Sequence, residues 1–273
     1  MGIKLIAVDM DGTFLSEAGN YDRERFKKQY IKMKEKDIKF VVASGNQYYQ
    51  LHSFFPEFAD ELTYVAENGA YIVSEGIELF AAEIPRKETE AIIDKIAEMP
   101  AVNMVVCGKK SAYVKMETSD VFFNYANRYY HRLLRTADIK SVDDQIFKFA
   151  LNCPVEIVKE IQKELNNLIG HILTPTASGH GDIDLILPGI NKAHGLTILQ
   201  EKWSISKDEI LAFGDSGNDI EMLAHAYYSY AMENGSEEVK RTARFTAPSN
   251  NENGVLEIID KYIFSTGFAG LSV

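Results

Sequence analysis

Two apolar runs with almost no polar alternation, IKLIAV (residues 3–8) and IKFVVAS (38–44), constrain this chain most. A strand with one wet face alternates apolar and polar residues, whereas a strand buried on both faces of a parallel sheet does not. Each run stops at polar residues, the first at Asp9 and the second at Ser44 followed by Gly45. Between them, residues 22–36 place Phe26, Tyr30 and Met33 on one helical face. Strand, helix and strand in that order predict an α/β fold around a parallel sheet.

The same texture continues through LTYVA (62–66) and a return strand AYIV (70–73), set off by the turn signal Asn68-Gly69. It then changes between Pro85 and Pro188. Inside that segment, residues 88–99 read as a helix, VNMVV (102–106) and SAYVK (111–115) as a hairpin about Gly108-Lys109-Lys110, and 120–134 as an aromatic-rich helix. FKFALN (147–152) reads as a strand, 155–168 as a helix, and HILT (171–174) and DIDLIL (182–187) as closing strands. After Pro188 the first texture resumes, with a helix over 192–202, strands EILAFGD (209–215), YYSYAM (227–232) and ARFTA (243–247), and a closing helix GVLEIIDKYIF (254–264). The expectation is a Rossmann-like core made of residues 1–84 and 189–273, interrupted by an inserted α+β domain over 85–188.

Composition narrows the partners. The 273 residues are 46% hydrophobic and 25% charged, which suits a globular protein with a sizeable core. A formal net charge of −11 disfavours nucleic acid and anionic membranes, so neither is expected as a partner. Lys109–Lys110 and Lys240–Arg241 are isolated basic pairs on solvated faces. Cys107 and Cys153 lack metal-ligand spacing and are expected as two buried thiols. The apolar run Leu5–Val8 is too short for a signal peptide or a membrane span, and a cytoplasmic protein, monomer or homodimer, is expected.

The strand ends carry the chemistry. In a parallel sheet, ligands bind beyond the carboxyl ends of the strands. DMDGTF (9–14) puts Asp9 and Asp11 after the first run, and GDSGND (214–219) puts Asp215, Asn218 and Asp219 after a later one. If those strands are neighbours, four carboxylates gather at one end of one sheet. Like charges that close raise one another's pKa, so they need a cation, and an all-oxygen set suits Mg²⁺. Taken singly, each signal has a plainer reading. A lone D-x-D is common turn chemistry, GDSGND could be an Asp-capped helix start, Lys192 an ordinary first-turn lysine and Ser44 an ordinary strand end. An EF-hand loop does not fit DMDG, because Gly12 stands fourth rather than sixth and Asn20 occupies the place of the bidentate Glu.

In combination and order, these residues resemble the haloacid dehalogenase superfamily, and within it the Cof-type phosphatases with a large α/β cap. The four motifs are matched by DMDGTF, by ASGN with Ser44, by NKAHGL with Lys192 and by GDSGND, with residues 86–187 where the cap belongs. The resemblance implies an Mg²⁺-dependent phosphatase acting on small phosphorylated metabolites, sugar phosphates foremost, through an aspartyl-phosphate. Asp9 would be the nucleophile and Asp11 the general acid and then base. Gly12 would let the backbone approach phosphate. Ser44 and the Gly45 amide would bind a phosphoryl oxygen, and Lys192 would neutralise charge on it. Asp9, the Asp11 carbonyl, Asp215 and, mainly through water, Asp219 would hold the metal. Asn218 would contact substrate or steady the Asp215 loop. A phosphomutase of the same superfamily is the alternative reaction, and a binding module that kept only the fold is a further one.

Two positions depart from the family pattern. Asn46 stands where relatives usually carry an arginine after the glycine, and an amide does not replace an arginine fork. Asp184 stands where a glutamate is common and is read as a supporting or structural residue. In the cap, His180 within SGHGD (178–182) could reach the leaving group, or be a solvent-facing turn residue. Tyr125, Arg128, Tyr129 and His131 could face a sugar or a ring, although an aromatic helix packed on the cap sheet is the plainer reading.

Overall fold

The computed structural model describes residues 2–179 and 181–264. Along the chain run β1 (Leu5–Val8), α1 (Arg23–Glu35), β2 (Lys39–Ala43), α2 (Tyr48–Ser53), β3 (Thr63–Ala66), β4 (Tyr71–Ser74) and β5 (Ile77–Ala81). Next come α3 (Arg86–Ala97), β6 (Asn103–Gly108), β7 (Ala112–Lys115), α4 (Asp120–Ala126), β8 (Leu133–Thr136), β9 (Ile146–Asn152), α5 (Val158–Ile169), β10 (Thr174–Gly179) and β11 (Asp182–Ile186). The last stretch holds α6 (Lys192–Trp203), β12 (Ile210–Gly214), α7 (Ile220–His225), β13 (Tyr228–Met232), α8 (Glu237–Thr242), β14 (Phe245–Ala247) and α9 (Gly254–Ile263).

These elements pack as two compact units, Met1–Val42 with Leu199–Val273, and Ala43–Ile198. The first is α/β. Its strands lie in the order β14-β13-β12-β1-β2, every neighbouring pair parallel. All residues of β1 and β12 are buried, as unalternating apolar runs require. Helix α1 starts where the Asp22 side chain accepts the Arg25 amide, and it buries Phe26, Tyr30 and Met33. Phe26 packs edge-on against Phe14 at 5.4 Å between ring centroids, and lies 4.9 Å from Phe40 of β2.

The second unit contains the antiparallel meander β3-β4-β5 and a six-stranded sheet in the order β10-β11-β9-β6-β7-β8. That sheet is antiparallel except for the β7–β8 pair. One face carries α3 and α5, whose Ile92, Ile93, Ile96, Ile161 and Leu165 form a core with Phe149, Ile183 and Leu185. The other face carries Phe122, Ala126 and Tyr130 against Val105, Cys107 and Val114. Both cysteines are buried and free. Residues 43–84 pack in this unit because they bond to the inserted segment, for example Ile84 N–H to the Ile146 carbonyl at 2.8 Å.

Two local expectations change. The helix expected over 120–134 ends at Ala126, and Leu133–Thr136 is strand β8, drawn out by parallel pairing with β7. The strand expected at HILT begins only at Thr174, because the amides of Ile172 and Leu173 still donate to the Ile169 carbonyl at the end of α5, while β10 carries Pro175 on the edge of the sheet. Strand β5 has no turn signal of the usual Asn-Gly kind. Its hairpin with β4 turns through Glu75 and Gly76, both at positive φ.

Candidate active site

In the first unit, β1 and β12 lie side by side in register, Val8 opposite Phe213, so the residues that follow them meet at one end of the sheet. The Asp9 amide donates to the Phe213 carbonyl at 3.1 Å, and Asp9 is buried. Asp9, Asp215 and Asp219 each offer a carboxylate oxygen, and the three oxygens lie within 4.8 Å of one another. Asp219 is fully buried, and its Oδ2 accepts the amides of Asp215 at 2.9 Å and Ser216 at 3.0 Å. Asp215 accepts the Thr13 hydroxyl at 2.7 Å. The Asn218 side-chain oxygen Oδ1 accepts the Ser216 hydroxyl at 2.8 Å.

Gly12 is at φ +78°, and a Cβ there would stand 2.5 Å from Asp215 Oδ2, so only glycine brings the two motif loops this close. Its carbonyl accepts the Asn234 side-chain amide at 2.7 Å. Asp11 is exposed beside this cluster in sequence, and its carboxylate is not one of the three grouped oxygens. Three carboxylates held this close, two of them buried, fit a hard divalent cation with oxygen ligands. Asp9, Asp215 and Asp219 are the residues that could hold it.

Ser44 and Lys192 belong to the second unit, and both are buried. Ser44 follows β2, its amide donating to the Val65 carbonyl at 3.0 Å and its carbonyl accepting the Asn68 amide at 3.0 Å. Its Oγ accepts the Asn46 amide at 3.1 Å, so the Gly45–Asn46 peptide closes a small turn over the hydroxyl. Lys192 opens α6, where the Asn191 side chain accepts the His194 amide at 2.9 Å. The turn Glu67-Asn68-Gly69 lies against both. Gly69 is at φ +90°, and a Cβ there would sit 2.2 Å from the Asn191 carbonyl oxygen. His180 lies outside the described residues. Tyr125 donates to Asp182 at 2.8 Å, and the Arg128 guanidinium lies 4.8 Å from its ring centroid. Phe122, Ala126 and Tyr130 pack into the sheet, with Tyr125 and Tyr129 partly buried against the same cluster.

A second charged cluster was not expected. Lys148 of β9 is 1% exposed, and its ammonium donates to the Gly45 carbonyl at 2.7 Å and to Asp184 Oδ1 at 3.1 Å. Glu67 Oε2 lies 3.3 Å from the same ammonium, buried and without a hydrogen bond of its own. Asn68 donates to the other Asp184 oxygen at 2.6 Å. Burial raises the Glu67 pKa to about 7 against the opposing pull of Lys148. Burial works against the Lys148 ammonium, but Asp184 and Glu67 outweigh it and hold the lysine protonated. Asp184 thus accepts from both Lys148 and Asn68. The signal for Lys148 was a lysine flanked by two phenylalanines inside an apolar strand, since lysine is seldom fully buried unless paired. Thr13 lay within the first motif itself.

The comparisons with known proteins agree with this architecture. The family model for haloacid dehalogenase-like hydrolases matches residues 6–259. The chain belongs to that family, and it is an enzyme of the phosphoric monoester hydrolase class. It is 49% identical over 263 residues to the 5-amino-6-(5-phospho-D-ribitylamino)uracil phosphatase YbjI of Escherichia coli strain K12, covering 96% of this chain and 97% of that one. It is 24% identical to the phosphatase YitU of Bacillus subtilis strain 168, over 94% of this chain and 97% of the relative. Among solved structures, SMU.1108c from Streptococcus mutans UA159 superposes with a TM-score of 0.93 at 39% identity, covering 97% of this chain and all of that one.

Proposed function

We propose that the protein is an Mg²⁺-dependent phosphatase of small phosphorylated metabolites, working through an aspartyl-phosphate on Asp9. The observation that carries this is the grouping of Asp9, Asp215 and Asp219 at the ends of β1 and β12. A bound Mg²⁺ would supply charge neutralisation at the phosphoryl oxygens. An Asp9 carboxylate oxygen attacks phosphorus, the bond from phosphorus to the ester oxygen breaks, and Asp11 gives its proton to that oxygen. Asp11, now a carboxylate, takes a proton from water. The hydroxide attacks phosphorus, the bond from phosphorus to Asp9 breaks, and inorganic phosphate leaves. Exposure of Asp11 suits a group that exchanges protons with water in each cycle.

By motif, Ser44 and the Gly45 amide bind a phosphoryl oxygen and Lys192 offsets its charge, as phosphoryl transfer requires. The Asp11 carbonyl and Asp219 complete the metal set, and Asn218 steadies the Asp215 loop. Residues 1–84 with 189–273 act as the catalytic core and 85–188 as a cap that sets specificity, in a cytoplasmic enzyme. The substrate class is a phosphorylated sugar or sugar alcohol, for which the phosphoribityl compound in the Escherichia coli relative's name is the first candidate.

The test is Mg²⁺-dependent release of inorganic phosphate from a panel of sugar phosphates and phosphoribityl compounds, with Asp9→Asn alongside. Turnover by the wild type and none by the variant is expected. An Asp9→Asn protein with full activity would overturn the reading. Free sugar rather than an isomerised sugar phosphate from a hexose 1-phosphate separates hydrolysis from mutase chemistry.

A further inference from the structure

The Lys148 ammonium and the Ser44 hydroxyl lie on opposite sides of one peptide. Lys148 Nζ donates to the Gly45 carbonyl at 2.7 Å, and the amide of the same Gly45–Asn46 peptide donates to Ser44 Oγ at 3.1 Å. In a trans peptide the C=O and N–H point in opposite directions, so fixing one end fixes the other. The peptide is held at further points of the same loop, since the Asn46 carbonyl accepts the Glu67 amide at 3.1 Å and the Ser44 carbonyl accepts the Asn68 amide at 3.0 Å. From these bonds we infer that Lys148 is a positioning residue for phosphoryl transfer, aiming the Ser44 hydroxyl through the Gly45–Asn46 peptide. The inference rests on the role proposed for Ser44.

Two physical effects support it. A cation on a peptide carbonyl polarises the amide, which strengthens the N–H as a donor to Ser44 Oγ. A serine oxygen that already accepts one bond turns its own hydrogen away from that donor, as a donor to a phosphoryl oxygen must. The anchor is rigid because Lys148 lies on β9, a central strand of the six-stranded sheet, opposite Cys107 of β6. The charge is balanced locally. Asp184 of β11 and Glu67 face the ammonium, and Asn68 holds the second Asp184 oxygen. The same loop is clasped again a few residues on. Gln47 exchanges hydrogen bonds with the backbone of Arg132, at 2.9 Å and 3.2 Å, and Gln50 donates to the Arg128 carbonyl at 2.8 Å. Residues 128–148 thereby hold the chain from Gly45 through Gln50.

A double-mutant cycle on the full chain with Mg²⁺ tests this. Lys148→Met alone strands two buried carboxylates, so it is also made on a Glu67→Gln, Asp184→Asn parent, with folding checked by thermal melting. Relative to that parent, a loss in kcat of about tenfold or more is expected, with a similar loss for Ser44→Ala. The combined variant should be no slower than the slower single one, because both act through one hydroxyl. Losses that multiply overturn the inference, and so does a folded Lys148→Met protein within twofold of its parent. If Lys148→Met folds in neither background, Lys148→Arg, which keeps the cation but moves its donors, enters the same cycle with the same expected outcomes. Failure of the phosphatase reading itself looks different: the wild type releases no phosphate, or Ser44→Ala runs at full rate.

Discussion

The two units treat buried charge in opposite ways. In the first, three carboxylates converge and are positioned by backbone amides and a threonine hydroxyl. In the second, two carboxylates converge on a lysine of the same chain. The first arrangement brings oxygens of three carboxylates within 4.8 Å of one another, which is what a site for a divalent cation needs. The second is complete within the chain, which is what a fixed support needs. The same residue type therefore does different work according to the groups gathered around it.

Breaking the first cluster should have the largest effect. Asp215→Ala removes a carboxylate from the grouped three, and phosphate release should fall by a factor of about a thousand or more while the protein stays folded. Activity measured against Mg²⁺ concentration checks this, and a variant with unchanged activity and unchanged metal dependence would contradict the metal assignment.

Neutralising the second cluster should do the reverse to stability. Between about 4.5 and 7 the folded protein keeps a proton on Glu67 that the unfolded chain releases, so stability falls as pH rises through that window and the loss is complete above it. Glu67→Gln imitates the protonated form. It should match the wild type near pH 4 and exceed it at pH 8 by roughly 3 kcal/mol, with a flatter dependence on pH. Urea unfolding at the two pH values decides this, and parallel curves for the two proteins would show that Glu67 ionises normally.

Thr13→Val sharpens the comparison on a smaller scale. It removes the hydroxyl that donates to Asp215, while the carboxylates remain. About a tenfold rise in the Mg²⁺ concentration for half-maximal activity is expected, equivalent to about 1.5 kcal/mol for one hydrogen bond to a charged group. Unchanged metal dependence would show that Thr13 does not orient Asp215. Lys261→Ala is the smallest. It removes a half-exposed pair with Glu257 one turn away on α9, and should cost about 0.5 kcal/mol or less with no change in rate. A larger cost would mean that surface pairs in this chain carry more than charge in water allows.

Much of the fold was legible in the sequence. β1, β2 and β12 were readable because residues buried on both faces leave no polar alternation, and α1 because the spacing of Phe26, Tyr30 and Met33 is local. Asp9, Asp215 and Asp219 were legible because strand ends in a parallel sheet point one way, so acids at those ends meet if the strands are neighbours. Strand β8 and the late start of β10 were not legible, because pairing with β7 and the bonds of Ile172 and Leu173 to the end of α5 outweighed local pattern.

What the sequence determined by itself was the α/β class, the strands buried on both faces and the acids that follow them, all of which rest on patterns within a few residues. What only the tertiary structure decided was the company of Lys148. Its partners Gly45, Glu67 and Asp184 stand 103, 81 and 36 residues away along the chain. No local pattern carries a contact of that span. It exists because β9, β11 and the turn after β3 are packed together, and a lysine is buried at their meeting point only because two carboxylates and a carbonyl are already there to receive it.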